Sequence, residues 1–93
     1  MCIKNIVKIA NQVTGSDFRY QELGSAIGYR LYSNKDEEYI TVAYTLKNTF
    51  FFTIGEFEKD AELEKAFKLI YPDSTIWMVR DARRKARDNK EIS

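Results

Sequence analysis

Apolar residues at the start of the chain repeat with helical spacing. They recur at every third or fourth position: Ile3, Ile6, Val7, Ala10 and Val13. Side chains at this spacing share one face of an α-helix, and Gly15 follows as a residue that can close the helix in a left-handed conformation. The pattern predicts a helix over 3–14. Ser16 or Asp17 can then cap a second, short helical turn that reaches Leu23.

The middle of the chain alternates apolar and polar residues with the period of a β-strand. Three runs show this pattern, over 27–33, 38–46 and 49–54, and each is rich in β-branched and aromatic residues. Short polar breaks at 34–37 and 47–48 separate the runs, which favours an antiparallel meander. One side carries the apolar residues that we expect to be buried: Ile40, Val42, Tyr44, Phe50, Phe52 and Ile54.

A second helix and an ambiguous segment follow the strands. Helical periodicity predicts a helix over 59–71, which ends before Pro72 because proline cannot continue it. The next run, "TIWMV", has the residue types of a strand, whereas the residues after Ala82 favour a helix. Two interpretations stay open: a fourth strand followed by a tail helix, or one basic helix over about 75–90. We prefer the helix because capping residues follow the proline.

These elements together predict one α+β domain over 1–93. The sheet is a meander of three antiparallel strands, or of four if residues 75–80 add a strand. One helix precedes the sheet, one follows it, and a basic helix ends the chain, with the helices packed on one face.

Composition places the chain among globular proteins. A length of 93 residues suits a single modest core, and 44% hydrophobic with 31% charged residues is ordinary for such a domain. Cys2 is the only cysteine, so no internal disulfide forms, which fits a reducing compartment. No run approaches the roughly 18 apolar residues of a membrane span. We therefore expect a cytoplasmic protein without membrane contact.

The sequence lacks most of the residue types and motifs that would support catalysis or cofactor binding. The chain contains no His, the residue used most often for general acid–base work and for zinc. It has neither a glycine-rich phosphate loop nor the spacing of a calcium loop. The acids at 36–38 and 56–64 fit a hairpin loop and a solvated helix face better than a catalytic pair. We expect no enzyme, no catalytic residue, no metal and no cofactor.

The polar side of the predicted sheet carries aromatic rings and an arginine. If the helices cover the apolar side, this surface lies open, and tyrosine and phenylalanine beside arginine are typical of a protein contact or a base-stacking platform. The alternative is that a terminal segment covers the rings as a second core. The acidic hairpin would extend the surface. The predicted protein-partner surface comprises Arg30, Tyr32, Tyr39, Thr41, Phe51, Asp36, Glu37 and Glu38.

Positive charge is concentrated near the C-terminus, although the net charge is only +1. In a helix, a stripe of four arginines would be spaced to contact successive phosphates, while Asp81 and Asp88 dilute it. The alternative is a solvated terminal helix whose cations complement the helix dipole. The predicted nucleic-acid contacts are Arg80, Arg83, Arg84, Lys85 and Arg87.

The segment from the strands into the second helix resembles the layout of AP2-like DNA-binding domains. The similar part is "IGEF", which leads into a helix rich in Ala and Glu. The resemblance implies a three-stranded sheet with one helix and DNA contacts from strand Arg and Lys residues. This chain departs from the pattern, because its strands carry only Arg30, with Lys35 and Lys47 in loops.

We therefore expect a small non-enzymatic binding protein that docks on a macromolecular partner, in the first place a protein, and modulates or blocks it. Inhibitors or adaptors that phages and other mobile elements use against host machinery have this size and class. The alternative is a nucleic-acid-binding regulator that uses the basic helix. Self-association through an uncovered sheet edge or face fits either hypothesis.

Overall fold

The computed structural model describes residues 3–24, 28–33, 38–45, 47 and 49–92, the last six of these by their backbone alone. It confirms the α+β class. In chain order the elements are α1 (Ile3–Thr14), β1 (Arg19–Glu22), β2 (Gly28–Tyr32), β3 (Tyr39–Tyr44), β4 (Phe50–Ile54), α2 (Asp60–Ile70), β5 (Thr75–Met78) and α3 (Val79–Ile92).

The sheet has five strands and is mixed, so the predicted antiparallel meander of three or four strands is wrong in detail. The strand order is β1-β2-β3-β4-β5, and the first four strands form an antiparallel meander. The fifth strand runs parallel to β4, because α2 carries the chain back across the sheet between them. Compared with the three-stranded AP2-like layout, the sheet therefore has one additional strand at each edge, β1 and β5.

The first edge strand replaces the predicted second helical turn. α1 ends at Thr14, and the following Gly15 has φ 71° and donates its N–H to the Asn11 carbonyl. The Asn11 side chain then binds the extended backbone of Phe18 twice, accepting from its N–H at 2.6 Å and donating to its carbonyl at 3.2 Å. Phe18 is buried in the core. This anchored, extended entry directs Arg19–Glu22 alongside β2.

The C-terminal segment is a strand followed by a helix, so the preferred single helix over about 75–90 is wrong for its first turn. Thr75–Met78 pairs with Phe51–Ile54, which buries Met78 and half-buries Ile76 against the core. The chain turns helical only from Val79. The β-branched and aromatic residues of "TIWM" favour a strand, and the segment forms one because β4 provides an edge to pair with.

Both packed helices lie on one face of the sheet. α1 contributes Ile6 and Ala10 to the core, and α2 contributes Leu63 and Phe67. The Phe67 ring stacks on Phe52 of β4 at a centroid distance of 4.4 Å and an interplanar angle of 8°. The remaining buried core residues are Phe18, Leu31, Ile40, Val42, Ile54 and Met78.

Two residues of the predicted buried side lie at its margin. Tyr44 is 36% exposed and Phe50 is half-buried, because both stand at the strand ends beyond the covering helices. Their rings contact each other at 5.3 Å, and Phe50 also meets Tyr71 at 4.8 Å. The core therefore ends in an aromatic cluster at this end of the sheet.

Candidate protein-binding face of the sheet

The sheet has a second face, which we call the outer face, on the side opposite α1 and α2. The strand register places its residues, because directly paired residues point to the same side. The outer face consists of Arg19, Gln21, Gly28, Arg30, Tyr32, Tyr39, Thr41, Ala43, Phe51, Thr53, Thr75 and Trp77.

Large rings on the outer face are open to solvent. Trp77 is 52% exposed, Tyr32 is 42% exposed and Phe51 is 39% exposed. Thr41 and Thr53 between them are half-buried, and Arg30 is exposed. These rings therefore belong to an exposed surface and not to a second core. They lie on the opposite side of the sheet from the core residue Phe52.

The outer face is chemically polarised across the sheet. One row of paired residues runs from Gln21 through Arg30, Thr41 and Thr53 to Trp77. Arg30 and Trp77 are thus three strand spacings apart, about 14 Å. Phe51 extends the apolar end and Arg19 the cationic end. The outer face therefore presents guanidinium groups over β1 and β2 and apolar rings over β4 and β5.

A cleft opens at the cationic end of the outer face. It has a volume of about 530 Å³ and is lined by Arg30, Tyr32, Ser33, Glu38 and Tyr39. Tyr32 and Tyr39 are direct cross-strand partners. The Tyr39 ring lies over Gly55, where an added Cβ would come within 2.8 Å of its ring carbons. The absence of a side chain at Gly55 therefore leaves room for the Tyr39 ring.

Glu38 also lines this cleft and is 9% exposed. Its Oε2 accepts hydrogen bonds from the Ser16 hydroxyl at 2.8 Å and from the Ser33 hydroxyl at 2.9 Å. The carboxylate thus joins the end of α1 to both strands of the β2–β3 hairpin. The other two predicted acidic contacts, Asp36 and Glu37, lie outside the described residues.

The predicted basic stripe on α3 is largely engaged within the chain. Arg80 NH2 lies 2.7 Å from Oδ1 of the fully buried Asp60, in an ion pair whose angles are not those of a hydrogen bond. Arg83 NH1 lies 3.8 Å from Glu56 Oε2. Arg84 NH2 lies 3.5 Å from Asp81 Oδ1 within the helix.

These pairs change what the basic helix offers to a ligand. Three of the five predicted nucleic-acid contacts have acidic neighbours, and Lys85 is exposed. Arg87 belongs to the part of α3 described by its backbone alone. Arg80 and Arg83 therefore have a structural role, because their ion pairs hold α3 against the β4–α2 connection.

Sequence reasoning missed the outer-face residues of both edge strands, including Arg19 and Trp77. Each lies on an edge strand that was interpreted as helix. The available signal was the alternation in "TIWM": Ile76 and Met78 point to the core, so Thr75 and Trp77 must point outward. For Arg19 no comparable signal exists, since "RYQE" is exposed throughout.

Comparison with known proteins adds no assignment: no protein-family model matches the sequence, and neither curated proteins nor solved structures give a significant match. Among the described residues, no helix has both the length and the apolar character needed to cross a membrane. The described side chains also bring together no group of three or more His, Cys, Asp or Glu that could hold a metal ion.

Proposed function

We propose that this chain is a non-enzymatic protein that docks on another protein through the outer face. The observation that carries the proposal is the set of exposed rings, Trp77, Tyr32 and Phe51, on one face of the sheet. Aromatic side chains contribute large contact areas at low entropic cost, and they dominate the energetic centres of protein interfaces.

The charge composition of the outer face favours a protein over a nucleic acid. Its described strand positions include two arginines, Arg19 and Arg30, and no Lys, Asp or Glu. Interface cores are enriched in Tyr, Trp, Phe and Arg and depleted in Lys, Asp and Glu. Nucleic-acid binding draws most of its affinity from many phosphate contacts, and two guanidinium groups supply few of them.

The ion pairs of α3 argue in the same direction. A phosphate contact by Arg80 or Arg83 would compete with Asp60 or Glu56 for the same guanidinium. For Arg80 this competition would leave a buried carboxylate without its counter-ion, which is costly. The regulator hypothesis therefore rests on Lys85 and the later part of the helix.

Photo-crosslinking tests the proposal. Benzoylphenylalanine replaces Thr53 at the centre of the outer face, and a matched variant carries it at Glu62, an exposed position of α2. A partner that docks on the sheet should crosslink from position 53 and not from position 62. Its affinity should then fall by about 1–3 kcal/mol in Trp77→Ala, Phe51→Ala or Tyr39→Ala.

The opposite results are equally clear. Equal crosslinking from both positions, or an affinity that the three alanine variants leave unchanged, would remove the outer face as the docking surface. Binding of fluorescent single- or double-stranded DNA or RNA that weakens between about 50 and 200 mM salt would instead support the hypothesis of a nucleic-acid-binding regulator. Loss of that salt dependence in Lys85→Ala and Arg87→Ala would assign the nucleic-acid contacts to α3.

The mode of action that we propose is occlusion. A 93-residue chain that covers a functional surface of its partner acts as an inhibitor, and one that bridges two proteins acts as an adaptor. Competition between this chain and the partner's own ligand, measured by titration, separates the two.

A further inference from the structure

The two edges of the sheet differ in how they are protected. At one edge, β1 carries Arg19 and Glu22, and all of its residues are exposed. Charged residues on an edge strand discourage pairing with another chain. At the other edge, β5 consists of Thr75, Ile76, Trp77 and Met78, with neither a charge nor a proline. In the part of the chain that is described, no further strand pairs with β5.

A cleft lies beside the β5 edge on the helix side of the sheet. Its volume is about 270 Å³, and it is lined by Glu64, Lys65, Lys68 and Ile76. Because the three α2 residues and Ile76 line the same cleft, Ile76 lies level with the 64–68 turn of the helix. One acid and two bases at this edge form a charge pattern that can complement itself.

We propose that the β5 edge pairs with the β5 edge of a second copy of this chain. The two copies would be related by a twofold axis perpendicular to the sheet, midway between their two Ile76 residues. The strands then pair antiparallel, Ile76 faces its own copy, and Thr75 faces Trp77 of the other copy. The result is a continuous ten-stranded sheet, and the inference goes beyond the partner docking proposed above.

The same axis brings charges of opposite sign together. A twofold axis at the level of residue 66 places position 64 of one α2 opposite position 68 of the other. Glu64 then meets Lys68 of the second copy, and the pair occurs twice. Lys68 Nζ donates to the Ser74 carbonyl within its own chain, and an ammonium group has two further hydrogens for the carboxylate.

Helix spacing is compatible with this pairing. A crossover helix lies above the two strands that it connects, so α2 stands about half a strand spacing inside β5. Two such helices across a newly formed strand pair would be about 10 Å apart, which is the normal distance between packed helices. This match selects a second copy over a foreign strand, which would bring no helix to fill the space.

The ion pairs that α3 forms with other elements lie on the β4 side of the sheet. The first turns of α3 are held by Arg80 at Asp60 and by Arg83 at Glu56, and both acids lie in or next to the β4–α2 connection. The helix is therefore held toward β4 and away from the free side of β5.

Sedimentation velocity over about 1 to 200 µM, which covers reversible associations of moderate strength, tests the dimer. The wild-type chain should shift from monomer to dimer in this range. Glu64→Lys should weaken the dimer by about tenfold or more, because it places like charges opposite each other. The double variant Glu64→Lys/Lys68→Glu should restore it, since the swapped charges again complement each other.

Two controls keep the test decisive. Glu62→Lys makes the same charge change on an exposed part of α2 outside the cleft, and it should leave the dimer unchanged. Circular dichroism and thermal unfolding of each variant show whether the monomer is folded. Three results would each overturn the proposal: a wild-type chain that stays monomeric up to about 200 µM, a dimer that Glu64→Lys does not weaken, or a double variant that does not restore the dimer.

Discussion

The ion pair between Arg80 and Asp60 should contribute far more to stability than the other pairs of α3. The Asp60 side chain is fully buried, and its Oδ1 lies 2.7 Å from Arg80 NH2. Its Oδ2 accepts the Phe57 N–H at 3.3 Å. Arg80→Ala removes the only cation at this carboxylate among the described residues, so the carboxylate stays buried without its counter-ion.

The magnitude follows from burial. Removing one partner of a fully buried ion pair costs about 3–5 kcal/mol. The Arg80 side chain is 43% exposed, so water screens part of the interaction, and we expect a loss of about 2–3 kcal/mol. Arg83→Ala is the matched control. Its ion pair spans 3.8 Å with side chains 67% and 38% exposed, which is worth about 0–1 kcal/mol.

Urea unfolding, followed by circular dichroism, measures both variants. With a slope of about 1 kcal/mol per molar urea for a domain of this size, Arg80→Ala should lower the midpoint by about 2–3 M. Asp60→Asn removes the buried charge, so adding Arg80→Ala to Asp60→Asn should cost much less than Arg80→Ala alone. A double-mutant cycle expresses this difference as a coupling energy.

The reasoning is refuted if Arg80→Ala and Arg83→Ala lower the free energy of unfolding equally, or if the cycle shows no coupling between Arg80 and Asp60. Either result would mean that water reaches Asp60 in solution. It would also return Arg80 to the set of cations available to a nucleic acid.

Further predictions concern packing, the backbone and the outer face. Phe67→Ala should cost about 3–5 kcal/mol in urea unfolding, because it removes a fully buried ring stacked on Phe52; a loss below about 1 kcal/mol would contradict the stack. Gly28→Ala should destabilise by about 1–3 kcal/mol, since the new Cβ would lie 2.7 Å from a backbone carbonyl oxygen, and an unchanged melting temperature would count against that approach. Asn11→Ala should cost about 2 kcal/mol through two lost hydrogen bonds to the Phe18 backbone, as thermal unfolding would show. Trp77, the only tryptophan, should be readily quenched by acrylamide in the dilute monomer because it is 52% exposed; protection at low concentration would place it in a core.

The sequence by itself determined the elements whose patterns are local. Helical periodicity indicates α1 and α2, because helix hydrogen bonds join residues four apart and the buried face repeats along the segment. The alternation in the β2, β3 and β4 segments also separated the core side from the side of Arg30, Tyr32 and Phe51, since the side-chain period of a strand is two. The Tyr32 and Phe51 rings of the outer face could thus be named before the sheet was known.

Tertiary structure alone decided the two edge strands. A strand forms its hydrogen bonds with another strand, so four residues such as Arg19–Glu22 or Thr75–Met78 become strands only where a neighbour offers its edge. The hydrogen bonds between Asn11 and Phe18 place β1 beside β2, and the α2 crossover places β5 beside β4. Trp77 reached the outer face, and Arg80 reached Asp60, only because the chain folds back at α2. Partners so distant in sequence leave no periodic signal along the chain.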